Sequence, residues 1–333
     1  MQIKLEKKYV IGVHVMFFEI EIYKEYIDGL INLLNTIKNK ENITLDFCFN
    51  ISEKIEEIDK SKITEEKLIE KFNKGIHRLK EIGMENINTI IHTNKDEFYF
   101  HTDYRRDLNH NYCKKVDYIM WGETDSFFPK EAFQAIETLS KYTDEQNIHR
   151  YILSFADRKM WDSSWDPLVH PKFENLTFID DDKGHLNLNQ AKSPLPIKKM
   201  NEINSESKEF DFIYLKKPKI SGSCLVISSD LIKFGVNIPL CLLYNDDHGL
   251  SIMAEKLCGK DYLQFICKNI IHVHARRHPN KRLYVKDESN PNSFGNLKHN
   301  NFQKFLKLSQ ENIQTLTSNN QNKFYEYKDF KKI

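Results

Sequence analysis

With 333 residues, 40% apolar and 12% aromatic, the chain can bury one large α/β core or two ordinary ones. Its 49 Lys and Arg against 48 Asp and Glu leave almost no net charge, which removes any global electrostatic case for nucleic acid or an anionic membrane and leaves only local patches. Six cysteines (Cys48, Cys113, Cys224, Cys241, Cys258, Cys267) lie in apolar runs without C-x-x-C spacing, so reduced thiols in a cytoplasmic protein are expected rather than a zinc site or disulfide framework. No apolar run approaches the ~20 residues of a membrane-spanning helix, so no integral membrane segment is expected, and the N-terminus lacks a signal-peptide pattern.

In chain order, the apolar run at 9–15 predicts a buried strand. Tyr26, Ile27, Leu30, Ile31, Leu33, Leu34 and Ile37 then predict an amphipathic helix over about 21–38. A second strand over 43–49 ends in Asn50-Ile51-Ser52, where Ser52 suits a cap. Thr64 opens a helix carrying Leu68, Ile69, Phe72, Ile76 and Leu79 that stops at Gly83, and 87–92 reads as a third strand. This alternation predicts a mostly parallel sheet covered on both faces.

The next stretch, 116–129, carries an apolar run into Gly122-Glu123-Thr124-Asp125-Ser126. In an extended chain alternate side chains share a side, so Glu123 and Asp125 would converge at the end of a buried strand. Two hard oxygen ligands there suit Mg²⁺ or Mn²⁺ with phosphates completing the shell. The same residues also read as an acidic strand-to-helix turn, with Asp125 or Ser126 capping a helix near Pro129.

A helix over 131–142 and a strand over 150–155 follow. The region 156–210 differs in kind, with Trp161, Trp165 and clusters of Asp, Gly and Pro that read as a lid or binding loop. Trp161 and Trp165 serve either as a platform for a sugar ring or base, or as pins holding the loop to the core. Ser221-Gly222-Ser223 feeds another strand, and Asn245-Asp246-Asp247-His248-Gly249 precedes a helix over 250–257. Two strand-like runs, 263–267 and 269–273, lead to His272 and His274, then to a basic segment over 275–282. Beyond about residue 295 the chain is polar and reads as a peripheral tail with one helical piece at 302–308.

The order of these pieces resembles the GT-A fold of nucleotide-sugar-dependent glycosyltransferases, most closely the large inverting family that includes processive and single-addition synthases. The resemblance implies a Rossmann-like α/β domain over 1–295, with a nucleotide-sugar-binding half (1–140), an inserted lid (156–210) and an acceptor half (211–295), and a tail over 296–333. It implies donor contacts from His14, Asn50, Ser52, Arg105, Arg106 and Asn109, and gives Glu123-Thr124-Asp125 the D-x-D role. Ser221-Gly222-Ser223 and Asp246-Asp247 are similar to the acceptor-side signature, and His272 or His274 to a further metal contact.

The chemistry implied is transfer of a sugar from a nucleoside-diphosphate donor to an acceptor hydroxyl, with inversion. Mn²⁺ or Mg²⁺ on Asp125, with Glu123 beside it, neutralises the leaving diphosphate, and Asp247 acts as base with Asp246 orienting it. Repulsion between these neighbouring carboxylates is expected to raise the apparent pKa of the pair. Arg276 and Arg277 suit closure over the diphosphate, and Trp161 and Trp165 with Ser221, Gly222 and Ser223 form the expected acceptor side. Asp246 also reads as a plain helix cap, and the basic segment as a solvated turn. Two other classes stay open: a metal-dependent hydrolase using His272, His274 and Asp residues, and a non-catalytic binder of nucleotide or glycan. A glycan, a lipid-linked saccharide, a protein or a modified DNA base all fit as acceptor.

Overall fold

The computed structural model describes residues 2–51, 63–93, 99–157, 197–215, 222–274, 294–318 and 324–325. Its first half alternates strand and helix: β1 (Tyr9–Met16), α1 (Ile20–Leu34), β2 (Ile43–Asn50), α2 (Glu65–Glu81), β3 (Ile87–His92), α3 (His101–Tyr112) and β4 (Tyr118–Gly122). The strands β3, β2, β1 and β4 lie side by side in that order, all parallel. β1 is apolar on both faces because both are covered: Tyr9, Ile11, Val13 and Val15 enter one core cluster, while Val10 enters the other. Thr64 caps α2 by accepting the Lys67 N–H.

The chain builds outward from β1 to β3, then α3 carries it back across the sheet to β4 on the far side of β1. Strand order therefore reverses between β1 and β4, and such a reversal opens a crevice at the carboxyl ends of the two strands. Gly12 lets α3 lie close. A Cβ on Gly12 would stand 2.1 Å from Leu108 Cδ2, so the helix seats directly on the β1 backbone.

The second half contributes β5 (Ser126–Phe127), α4 (Ala132–Glu145), β6 (Tyr151–Asp157), α5 (Ile197–Asn204), β7 (Phe212–Tyr214), β8 (Leu225–Ser228), α6 (Ser229–Lys233), α7 (Asp246–Cys258), β9 (Leu263–His274) and α8 (Phe294–Thr317). The sheet continues past β4 through β8, β6, β9 and β5, with β7 also on β9. Here the pairing is mixed: β8 is antiparallel to β4 and β6, β6 is parallel to β9, and β5 and β7 are antiparallel to β9.

Several expectations change. The two runs at 263–267 and 269–273 are a single strand, β9, whose register on β6 shifts between Phe155 and Ala156 and so absorbs polar Lys268 and Asn269. The end of the expected lid is scaffold: on α5, Asn204 donates to the Ile271 carbonyl (2.9 Å) and accepts the Ile271 N–H (2.8 Å). The expected peripheral tail begins with a 24-residue helix, α8, whose Phe305, Ser309, Asn312 and Ile313 are buried. Among the described residues no helix is long and apolar enough to cross a membrane.

Gly12→Ala is expected to cost about 1–3 kcal/mol in urea unfolding, since Leu108 is itself buried and has little room to yield. Adding Leu108→Ala should recover less than the full loss, because it opens a cavity of its own.

Candidate active site

Four segments meet at the carboxyl ends of β1 and β4. They are α3, the turn after β4, residues 222–224 ahead of β8, and the first turn of α7. α3 is preceded by its N-cap Phe100, whose N–H is accepted by Asp103 (3.0 Å). Helical spacing then sets His101 and Arg105 on one face.

Arg105 is 3% exposed, and three partners accept from its two terminal nitrogens, while Nε is buried without one. Nη1 donates to Asp246 Oδ2 at 2.5 Å, and Nη2 donates to Glu123 Oε1 at 2.9 Å and to the Gly222 carbonyl at 2.8 Å. The plane lies over the Trp121 ring, 4.5 Å from its centroid. Such a stack contributes about 0.5–2 kcal/mol. Trp121 is fixed in turn by Nε1–H donation to Asn109 Oδ1 at 3.0 Å. A Cβ on residue 222 would stand 2.7 Å from Arg105 Nη1, so glycine leaves room for the guanidinium.

This ion cluster drives two adjacent carboxyls apart. Burial pushes the Asp246 carboxyl up, but the charges of Arg105 and His101 and the direct Arg105 hydrogen bond outweigh it, so its pKa is lowered. Burial, and then the negative charge of Asp246, push Asp247 up to about 7. Asp247 is held by two backbone donors, His248 N–H to Oδ1 (2.7 Å) and Gly222 N–H to Oδ2 (3.2 Å). The two neighbouring carboxyls are thus pushed in opposite directions, Asp246 down and Asp247 up.

Asp246 is the first residue of α7 and does not cap it; the helix is preceded by Asn245 in the left-handed region at φ 60°. Cys224, at φ 52°, is the matching case on the 222–224 segment. Among the described residues three non-glycines adopt positive φ, and two of them flank this site, where backbone strain is characteristically held.

Glu123 and Asp125 do not alternate along an extended strand. The Ser126 N–H donates to the Glu123 carbonyl (2.9 Å), closing a turn, and Ser126 then starts β5 rather than capping a helix. Glu123 turns to Arg105, whereas Asp125 is 3% exposed. The end of β9 runs beside this turn: Ser126 pairs with His274 in the backbone register, and Ser223 Oγ donates to Ser126 Oγ (2.6 Å) while lying 3.3 Å from His272 Nε2. No three His, Cys, Asp or Glu side chains form a ready metal cage among the described residues. Of the two carboxylates expected to hold Mg²⁺ or Mn²⁺, Asp125 is buried in this turn and Glu123 is engaged by Arg105.

His14, at the end of β1, stacks on Tyr104 (centroids 5.6 Å apart) and meets the edge of His101 (5.7 Å). Asn50, at the end of β2, stands 3.4 Å from His14 Nε2 and donates to the Tyr99 carbonyl (2.7 Å). Burial first, then the charges of His101 and Arg105, hold the His14 pKa well below its usual value, and burial likewise lowers His101. His14 Nδ1 and His101 Nε2 are buried without a protein partner.

Of the residues singled out in the sequence, His14, Asn50, Arg105, Glu123, Asp125, Gly222, Ser223, Asp246, Asp247 and His272 gather here; His274 does so through its backbone. Arg106 and Asn109, expected at the donor, are engaged elsewhere. Arg106 holds the Ile238, Pro239 and Leu242 carbonyls (2.9–3.1 Å), and Asn109 bridges Trp121 and Asn237. Ser52, Trp161, Trp165, Ser221, Arg276 and Arg277 lie outside the described residues. Sequence reading passed over His101 and Trp121. The i, i+4 spacing of His101 and Arg105 was the available signal, once α3 is known to be a helix.

Neither the family models nor the curated proteins compared with this chain give a match. Three solved structures are similar in layout. S. aureus TarS 1-349 is 11% identical, with 80% of this chain and 59% of that chain covered at a TM-score of 0.43. GalNAc-T7 with UDP, GalNAc and Mn²⁺ is 8% identical, with 98% and 54% covered at 0.46. M. tuberculosis glucosyl-3-phosphoglycerate synthase is 11% identical, with 78% and 70% covered at 0.37. The chain thus spans between half and three fifths of the first two.

Arg105→Ala is expected to cost about 3–5 kcal/mol, because it strands two carboxylates in a poorly hydrated place. Asp246→Asn should lower the Asp247 pKa from about 7, since a neighbouring negative charge is removed, as read by ¹³C NMR of the carboxyl. Stability should follow with a definite sign. Between the unfolded carboxyl pKa and about 7 the folded chain keeps a proton that the unfolded chain has lost, so Asp247 destabilises increasingly as pH rises through that window. Asp247→Asn should therefore stabilise the protein more at pH ~8 than at pH ~5.

Proposed function

We propose that the protein is a metal-dependent glycosyltransferase that moves a sugar from a nucleoside-diphosphate donor to an acceptor hydroxyl with inversion. The observation that carries this reading is the pair at the start of α7: anionic Asp246 locked to Arg105, and Asp247 titrating near 7 beside it. Their position at the β1/β4 reversal, next to an acidic turn, supports a donor crevice there.

In this reading Asp247 takes the proton of the acceptor hydroxyl as the new bond to the anomeric carbon forms and the bond to the diphosphate oxygen breaks. A pKa near the working pH makes it an effective base. Asp246 and Arg105 keep the carboxyl in place and set its pKa. Asp125 would hold a Mn²⁺ or Mg²⁺ ion, which would supply positive charge to the departing diphosphate. Glu123 serves as a charge partner of Arg105. His14, Asn50 and His101 place polar groups at the ends of β1 and β2 and the start of α3, suited to hydrogen-bonding a nucleotide.

A screen of nucleoside-diphosphate sugars for Mn²⁺-dependent hydrolysis tests the class and the donor together. Asp125→Ala should abolish metal-dependent donor binding in calorimetry. Asp247→Asn should keep that binding and lose transfer by about 10²–10⁴-fold, with the rate in the unaltered protein rising with pH through about 7. Full turnover by Asp247→Asn would overturn the assignment of the base. Metal-dependent binding without turnover of any donor would favour a non-catalytic binder.

A further inference from the structure

The helix α8 is joined to both helices that supply the charged groups of the site. Its Phe305, Ser309 and Asn312 fall at i, i+4 and i+7 and share one face. Phe305 lies 5.6 Å from Phe100 and 6.4 Å from Tyr244, ring centroid to centroid, and those two rings are 5.8 Å apart. Phe100 caps α3, which carries Arg105, and Tyr244 stands immediately before the cap of α7, which carries Asp246 and Asp247. The aromatic trio therefore wedges the starts of the two helices at a set spacing.

Polar contacts carry the same link. Ser309, fully buried, accepts the Leu243 N–H (3.3 Å) and the Tyr244 N–H (3.2 Å) at one hydroxyl. Asn312, also fully buried, donates to the Cys241 carbonyl (2.6 Å) and accepts the Tyr325 N–H (2.8 Å). From the opposite side, Thr102 of α3 donates to the Leu243 carbonyl (2.6 Å). Leu243 is thus gripped by α8 through its N–H and by α3 through its C=O. A helix docked only to bury apolar area has no need of a buried Ser and Asn, whose desolvation is unfavourable unless matched. Both are matched to the 241–244 segment that leads straight into the carboxylate pair.

We propose that α8 is a positioning brace for Asp246 and Asp247, acting through the Ser309 hydroxyl and the Phe305 wedge. Its catalytic consequence rests on the glycosyltransferase reading above; its structural part does not. Ser309 is a positioning residue, since it reaches the carboxyls only through the 243–245 backbone.

The test combines amide hydrogen exchange and steady-state kinetics on the full chain, comparing the unaltered protein with Ser309→Ala and Ser309→Thr. Ser309→Ala should speed exchange at Leu243, Tyr244 and His248, whose N–H holds Asp247, while β1 and β4 amides stay as before. With the donor found by the Mn²⁺ screen, kcat should fall about 10–100-fold with donor KM unchanged, as expected of a base displaced by a fraction of an ångström to an ångström. The midpoint of the pH profile should move with it, and Ser309→Thr, which keeps the hydroxyl, should recover most of the loss. Asn312→Ala, one contact further from the carboxylates, supplies a second variant and should show the same pattern more weakly. Unchanged exchange at His248 while Leu243 and Tyr244 open would overturn the brace, as would acceleration spread evenly through β1 and β4. Exchange transmitted to His248 with kcat unaffected would leave the brace standing and overturn Asp247 as the base.

Discussion

A guanidinium removed from water is the constraint on which the site depends. Arg105 has little solvent to stabilise it, so its charge must be answered by protein, and the answer comes from three distant segments: Glu123, the Gly222 carbonyl and Asp246. The fork of an arginine donates in fixed directions, unlike the mobile point charge of a lysine. Satisfying it therefore sets where the turn after β4, the segment before β8 and the start of α7 lie relative to one another. The low pKa of Asp246 and the high pKa of Asp247 are two consequences of that arrangement, because the arginine pairs with the first carboxyl and leaves the second beside an anion.

The sheet makes this meeting possible. Strand order reverses between β1 and β4, and Gly12 admits α3 closely enough for Arg105 to lie on Trp121, the last large side chain of β4. Antiparallel β8 then brings Gly222 and Ser223 up to the same edge, and β9, paired with β5 at its far end, brings His272 to Ser223. Parallel strands supply the crevice and antiparallel strands its second wall. α8 closes the arrangement from outside by tying the approaches to α3 and α7 together.

Legibility in the sequence followed the physics of each element. β1, β2 and α2 were readable because they bury long apolar faces, and Thr64 announced its helix. α3 was not recognised as a helix, because its buried face includes Thr102, Arg105 and Asn109. Those groups are polar and are buried only because partners elsewhere in the chain satisfy them. β5 pairs over two residues, too few for any periodicity, and β9 conceals a polar interruption in a register shift. The polar composition of the C-terminal region concealed the narrow face by which α8 docks.

By itself the sequence determined the class of architecture, alternating apolar strands with amphipathic helices, and the residues of greatest chemical weight: the acidic turn at 123–125, the Asp246-Asp247 pair, Gly222-Ser223 and His272. The acidic turn follows from local pattern and side-chain chemistry, and the other residues are singled out by the order of pieces shared with glycosyltransferases. Tertiary structure decided the roles. It turned Glu123 toward Arg105, withdrew Arg106 and Asn109 into the scaffold, made Asp246 an ion-pair partner rather than a cap, and gave Asp247 a pKa of about 7. A pKa depends on which charges stand within a few ångströms and how much water is excluded. Neither is a property of residues in order, only of residues in space.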